Sequence, residues 1–145
     1  MSQIKFIDHT EEIKGLIADL AFSSLEEAAG ELEAQVKRNH DTLKIVKAGQ
    51  TKNSWQHRVT GSMMAGEYRA SVGSDYENAI WEEFGTGDYA LNGDGRKGGW
   101  FYKDAEGVGH FTHGKKPRRP FWKAYSTMKP KIIKFLQDKF KGGLS

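Results

Sequence analysis

Cysteine is absent from this 145-residue chain, and its absence excludes two classes of protein. A disulfide-stapled scaffold and a thiolate metal site both need cysteine sulfur. A reducing compartment is therefore compatible with the chain, although composition alone does not establish one.

Long apolar runs are also missing. No stretch approaches the roughly 18 consecutive apolar residues that indicate a membrane-spanning helix, and the mean hydropathy is −0.68. The opening residues, MSQIKFIDHTEEIKG, lack the apolar run that follows the basic start of a signal peptide. We therefore expect neither a membrane span nor a secretion signal. The length and the 37% hydrophobic content fit one domain over residues 1–145 with a modest core.

Charge is distributed unevenly along the chain, although the net charge is only +3. Residues 1–48 hold 6 Lys and Arg against 9 Asp and Glu, and residues 49–95 hold 3 against 7. Residues 96–145 hold 13 basic residues against 3 acidic ones. This uneven distribution of charge predicts a binding partner. Composition leaves three kinds of partner open: nucleic acid, an anionic membrane surface, or the acidic face of another copy in a head-to-tail ring.

Hydrophobic periodicity predicts an α+β fold. A helix is expected over residues 10–40, where apolar residues recur at three- and four-residue steps; SSLEE at 23–27 resembles a capping box, so a break there is the alternative. Residues 55–61 and 67–74 are short and β-rich, which predicts a hairpin closed by SMMAG. A further helix is expected to end at Gly85.

The second half of the chain contains many glycines. Six of them fall in residues 85–99, which predicts a long loop. GGWFYKD and GVGHFTHG predict a second hairpin, so that about residues 88–114 form a projecting arm. Pro120 suits the first position of a final helix, which Pro130 is expected to kink or split. The expected architecture is thus a long N-terminal helix and a C-terminal helix packed on a small antiparallel sheet, with an extended glycine-rich β-hairpin arm.

Motifs that carry chemistry are not found. GDGRKGGW lacks the hydroxyl after lysine that a phosphate-binding loop needs, and no βαβ frame surrounds it. The acids Glu82, Glu83, Asp88 and Asp94 lack the spacing of a calcium loop and are expected to be solvated. His110 and His113 would lie on opposite faces of a strand. We therefore predict no catalytic residue, metal or cofactor, while an enzyme with a cleft of perturbed acids stays open.

The basic segment HGKKPRRPFWK is more informative. Its cations and aromatic residues fit three interpretations: contact with nucleic acid, docking of the last helix with the charges in solvent, or pairing with the acidic WEEF segment of a neighbouring subunit. The candidate interface or DNA-facing residues are Lys115, Lys116, Arg118, Arg119, Trp122 and Lys123.

The order of these motifs resembles the gene-product-ten-like putative tail-component family of tailed bacteriophages and prophages. That family shows TGxLxxS, YAxxxEFGT and xPFLxPA segments. Gly49, Asn53 and Ser54 match the first loosely, while Gln50 and Thr51 depart from it. In the third, Trp122 replaces the usual leucine and Ala124 lies near the usual alanine. The second segment is matched in order by Tyr76, Ala79, Glu83, Phe84, Gly85 and Thr86, with one or two residues inserted, and Gly87 follows as the end of EFGTG. The third is matched by Pro120 and Phe121.

This resemblance implies a structural virion protein at the head–tail junction, assembled in the bacterial host cytoplasm. It implies a homo-oligomeric ring, a hexamer in the virion that forms from a free monomer. Its partners would be the head connector or stopper and the tail terminator or tail tube proteins, with transient contact to DNA in the channel and no membrane. EFGTG would be a structural junction, Phe84 would anchor it in the core, and the arm would reach a neighbouring subunit.

Two other interpretations compete with the joining role. A tail terminator that caps the tail tube would show the same fold class and charge pattern. A basic DNA-binding module would use the C-terminal third directly.

Overall fold

The computed structural model describes residues 8–45 and 48–144. Its first element is helix α1, Thr10–Thr42, which is continuous through residues 23–27. The favoured single helix is therefore confirmed. Ser24 does not cap a second helix because it lies on the buried face, together with Ala21, Ala28, Leu32 and Val36.

A hairpin lies against α1. Helix α2, Ala48–Asn53, leads into strand β1, Gln56–Ser62, which pairs antiparallel with strand β2, Glu67–Gly73. The predicted hairpin is thus confirmed, and its register places Gln56 opposite Gly73 and Ser62 opposite Glu67. Alternate residues of both strands are half-buried on the face that contacts α1, namely His57, Val59, Tyr68, Ala70 and Val72.

The second hairpin is a separate two-stranded sheet. Helix α3, Glu77–Phe84, and a short 3-10 turn, Gly87–Tyr89, precede it. Strand β3, Trp100–Lys103, pairs antiparallel with strand β4, Gly109–Thr112. The second hairpin, predicted within residues 88–114, is thus confirmed.

The last helix, α4, spans Pro120–Gly143 without interruption. The expectation that Pro130 splits it is wrong. Pro130 is exposed, so the carbonyl group that loses its N–H partner, that of Ser126, can be hydrated. On the opposite side Tyr125, Met128 and Ile132 pack against the core, and this burial holds the two halves in one helix.

The core lies where α1, α3, α4 and the start of β1 meet. It consists of Leu32, Val36, Trp55, Ala79 and Ala124. Phe121 stacks on Trp55 with ring centroids 5.7 Å apart, and Tyr125 stacks on Phe121 at 5.8 Å. The α+β class is confirmed: α1 packs on the β1–β2 hairpin, and α4 packs against α1 and α3.

Candidate functional site

Two adjacent carboxylates on α3 form the centre of the candidate site. Glu82 is 1% exposed and Glu83 is 6% exposed, so the expectation that these acids are solvated is wrong. Ala79, which lies three residues before Glu82 and four before Glu83, shares the inner face of α3 with them. Burial of two carboxylates requires compensating partners, and the basic segment before α4 supplies them.

Glu83 caps α4 from a different helix. Its Oε2 accepts the backbone N–H of Phe121 and its Oε1 accepts that of Trp122, both at 2.9 Å. The first N–H groups of a helix have no intrahelical partner, and the helix dipole favours a negative charge there. Arg119 Nε lies 3.7 Å from the same carboxylate. Glu83 therefore fixes where α4 begins and how it is oriented toward α3.

Glu82 holds the chain just before that helix. Its carboxylate pairs with Lys115 Nζ and lies 3.9 Å from Arg118 Nε. Its backbone carbonyl accepts the N–H groups of Arg118 and Arg119, at 2.9 and 3.1 Å. We call these five residues, Glu82, Glu83, Lys115, Arg118 and Arg119, the acid–base clamp.

The clamp changes the interpretation of the basic segment. Sequence patterns left open a pairing of these cations with the WEEF segment of a neighbouring subunit. In the structure the pairing forms within one chain, because α3 and the start of α4 lie side by side. Lys115, Arg118 and Arg119 therefore serve the fold first. Arg118 Nη1 also donates to the carbonyl of Lys44, 3.1 Å away.

The EFGTG motif is a junction between two backbone segments. Thr86 N–H donates to the carbonyl of Lys115 at 2.9 Å, and Asp88 N–H donates to that of His113 at 2.8 Å. Thr86 Oγ1 accepts the N–H of Lys115, also at 2.8 Å. Gly87 has a φ of +61°, and a Cβ there would lie 2.2 Å from the His113 carbonyl oxygen. Glycine is needed because the two segments approach so closely.

Phe84 does not anchor this junction in the core, and that expectation is wrong. It is 42% exposed, because the inward face of the short helix α3 is taken by Ala79, Glu82 and Glu83. Gly85 follows with a φ of +73° and ends the helix. Tyr76, just before α3, is 39% exposed and donates from its hydroxyl to Gln50 Oε1, 3.2 Å away.

The remaining candidate residues surround the clamp. Pro120 is buried, and its carbonyl accepts from Asn39 Nδ2 at 3.0 Å. Lys116 lies over the ring of Tyr89 at 5.4 Å. Arg119 lies over the ring of Trp122 at 5.1 Å. Trp122 is 48% exposed, and Lys123 is exposed one residue further on.

The sequence patterns did not predict that one histidine, His40, is buried. His40 is 2% exposed, and its Nε2 accepts from Trp55 Nε1 at 2.7 Å. Burial lowers the pKa of His40, against the opposing effect of the Glu82 charge, so the ring is neutral. Its position at the end of the buried stripe of α1, four residues after Val36, was the available signal.

A second histidine joins the hairpin to α1. His57 Nε2 lies 2.6 Å from Glu26 Oε1, and its Nδ1 lies 3.3 Å from Glu33 Oε1. The hydrogen bond with Glu26 raises the pKa of His57, and the one with Glu33 adds to the effect, against partial burial. The charged ring therefore stabilises the packing of β1 on α1.

We expect the His57 contact to give a pH-dependent stability. A raised pKa means that the folded state binds the proton more tightly, so this contribution is complete below pH about 6.5 and is lost as the pH rises through the folded-state value. His57→Gln should therefore cost more unfolding free energy at pH 6 than at pH 8, as measured by urea unfolding. Glu26→Gln should remove most of the same difference. Parallel pH profiles for wild type and both variants would contradict this assignment.

Across residues 8–45 and 48–144, no group of three or more His, Asp or Glu residues is arranged to hold a metal ion. Within the same ranges, every helix is too short or too polar to span a bilayer.

The strands of the arm carry exposed aromatic residues. Phe101 is 81% exposed and contacts Phe111, itself 50% exposed, edge-on at 4.8 Å. Tyr102 and Val108 are also exposed. The arm is attached through its base, where His113 Nδ1 lies 2.9 Å from Asp88 Oδ2. This hydrogen bond lowers the pKa of Asp88.

An open apolar groove lies on another side of the molecule. It runs between the first half of α1, the β1–β2 turn and the second half of α4, with a volume of about 420 Å³. Apolar side chains supply most of its walls, namely Ile17, Ala21, Leu25, Met63, Leu136 and Phe140.

Comparisons with protein-family models, curated proteins and solved structures find no match to this chain.

Proposed function

We propose that this chain is a non-enzymatic structural protein that assembles into a ring at the head–tail junction of a tailed bacteriophage. The observation that carries the proposal is the arm. A hairpin whose base is hydrogen-bonded to the EFGTG junction exposes Phe101, Phe111 and Val108 to solvent, and such apolar exposure indicates an interaction surface.

The molecule also offers a surface that could receive the arm. The groove between α1 and α4 is apolar and open, and exposed side chains of the arm, Phe101 and Val108 among them, are apolar too. We propose that the arm of one copy seats in the groove of the next. Two different surfaces of one chain then meet, which is the heterologous contact that closes into a ring.

The family resemblance supports the same function. The residues that carry it, from Ala79 through Gly87 and at Pro120, lie at the junction between α3, the base of the arm and the start of α4. Their roles are structural, since they cap, turn and pack the chain. The proposed partners remain the head connector or stopper and the tail terminator or tube proteins, and the proposed location is the virion.

Electron microscopy of lysates tests this function. A phage or prophage that lacks the gene should yield DNA-filled heads beside detached tails of normal length. A tail terminator would instead give overlong tubes. Intact, infectious particles without the gene would refute the assembly role.

Complementation then tests the arm. Phe101→Ser should leave the monomer folded, because the side chain is 81% exposed, yet reproduce the deletion phenotype. Ile80→Ser, at a 53% exposed position on α3, is the matched control and should restore joined particles. Equal rescue by both variants would exclude the arm from the contact.

A further inference from the structure

Helix α4 has two faces of opposite character. Phe121, Tyr125, Met128 and Ile132 turn toward the core. At 100° per residue, the opposite side brings four lysines into an arc of about 80°, over a length of about 27 Å. These lysines, which we call the α4 basic face, are Lys123, Lys131, Lys134 and Lys141, and all four residues are exposed.

The charges of this face are not neutralised within the molecule. In the part of the chain that the structure describes, Lys123, Lys131 and Lys141 form no ion pair. Lys134 lies 3.5 Å from Asp138, and both side chains are mostly exposed, a geometry worth little. The basic residues of the clamp, by contrast, are paired with buried carboxylates. The structure thus separates cations that serve the fold from cations available to a partner.

The shape of the face favours one kind of polyanion. A membrane-surface helix inserts its apolar side into lipid, but the first half of the apolar side of α4 is packed against the core. The second half, with Leu136 and Phe140, faces α1 across the apolar groove. What remains is a row of exposed ammonium groups along one continuous helix. Duplex DNA is a rigid rod with one charge per roughly 1.7 Å of axis, and lysines neutralise its phosphates without reading bases.

We propose that the α4 basic face binds the phosphate backbone of double-stranded DNA without sequence preference. The candidates first singled out for such contact lie between Lys115 and Lys123, and the outer face of α4 replaces them, with Lys123 common to both sets. This binding is independent of the joining role. It can hold or fail whatever phenotype the gene deletion shows.

The test measures binding of a fluorescent DNA duplex of mixed sequence across a salt series. The variant Lys123→Gln, Lys131→Gln, Lys141→Gln removes three cations of the face. The matched control, Lys14→Gln, Arg58→Gln, Arg69→Gln, removes three exposed cations elsewhere and gives the same net charge of about zero. Circular dichroism and sedimentation confirm that both variants fold.

Wild type and control should bind the duplex, with affinity that falls steeply as salt rises. The α4 variant should lose at least tenfold in affinity at low salt. The slope of the logarithm of its binding constant against the logarithm of the salt concentration should be shallower by about 2.7, because each of three lost phosphate contacts accounts for about 0.9. Absence of wild-type binding at low salt would overturn the proposal, as would equal weakening in both variants. Binding to phosphatidylserine vesicles but not to DNA would also overturn it.

Discussion

Glu83→Ala is expected to lower the unfolding free energy by about 3 kcal/mol, one of the two largest effects foreseen for a single substitution. Loss of a helix cap alone costs about 1 kcal/mol, and removing one partner of a buried ion pair costs about 3–5 kcal/mol. The lower end applies because Arg119, whose side chain is 33% exposed, can turn toward water. For a chain of this length the change corresponds to about 10 °C in Tm.

Chemical denaturation with matched variants separates the two contributions. Glu77→Ala removes an exposed acid from the first turn of the same helix and should change stability by no more than about 0.5 kcal/mol. Glu83→Gln keeps an acceptor oxygen for the α4 amides but loses the charge, so it should fall between the two. If Glu83→Ala were as mild as Glu77→Ala, α4 would not depend on this cap.

The sequence was sufficient to predict the elements that rest on local patterns. The long helix, the hairpin at residues 55–74 and the helix beginning at Pro120 follow from apolar period, turn glycines and proline position. The expected split at Pro130 is wrong because the cost of proline inside a helix is local, whereas the packing of Tyr125, Met128 and Ile132 that outweighs it is tertiary. The helix continues through Pro130 because apolar side chains that come before and after it in the sequence are packed against the core.

The candidate site was predicted in its residues but not in its pairing. Glu83, Arg119 and Phe121 were singled out, yet Glu82 and Glu83 were expected in solvent. Charge along a sequence shows which groups are complementary, but it does not show whether they meet within one chain or between two. The spacing of Ala79, Glu82 and Glu83 on one helical face was the signal that both acids turn inward. It conflicted with the general rule that adjacent acids are exposed.

Gly87→Ala is expected to cost about 3–4 kcal/mol and to detach the base of the arm. Gly87 has a φ of +61°, where an alanine costs roughly 1–2 kcal/mol. The new Cβ would also lie 2.2 Å from the His113 carbonyl oxygen and 2.9 Å from Gly114 Cα. Because both contacts are backbone, relief requires the segments to separate. The two hydrogen bonds between their backbone groups are then lost, at about 1 kcal/mol each.

Gly93→Ala isolates the steric part of this effect. Gly93 has a similar φ of +69°, but a Cβ there would meet no atom within 4 Å, so only the conformational cost of about 1 kcal/mol applies. Urea unfolding should separate the two variants by about 2 kcal/mol or more. Limited proteolysis within residues 88–114 should be faster in Gly87→Ala alone, because the freed segment opens locally. Equal stability of the two variants would mean that the two segments of the junction can move apart without loss of stability. The attachment of the arm at its base would then no longer support the proposed ring contact.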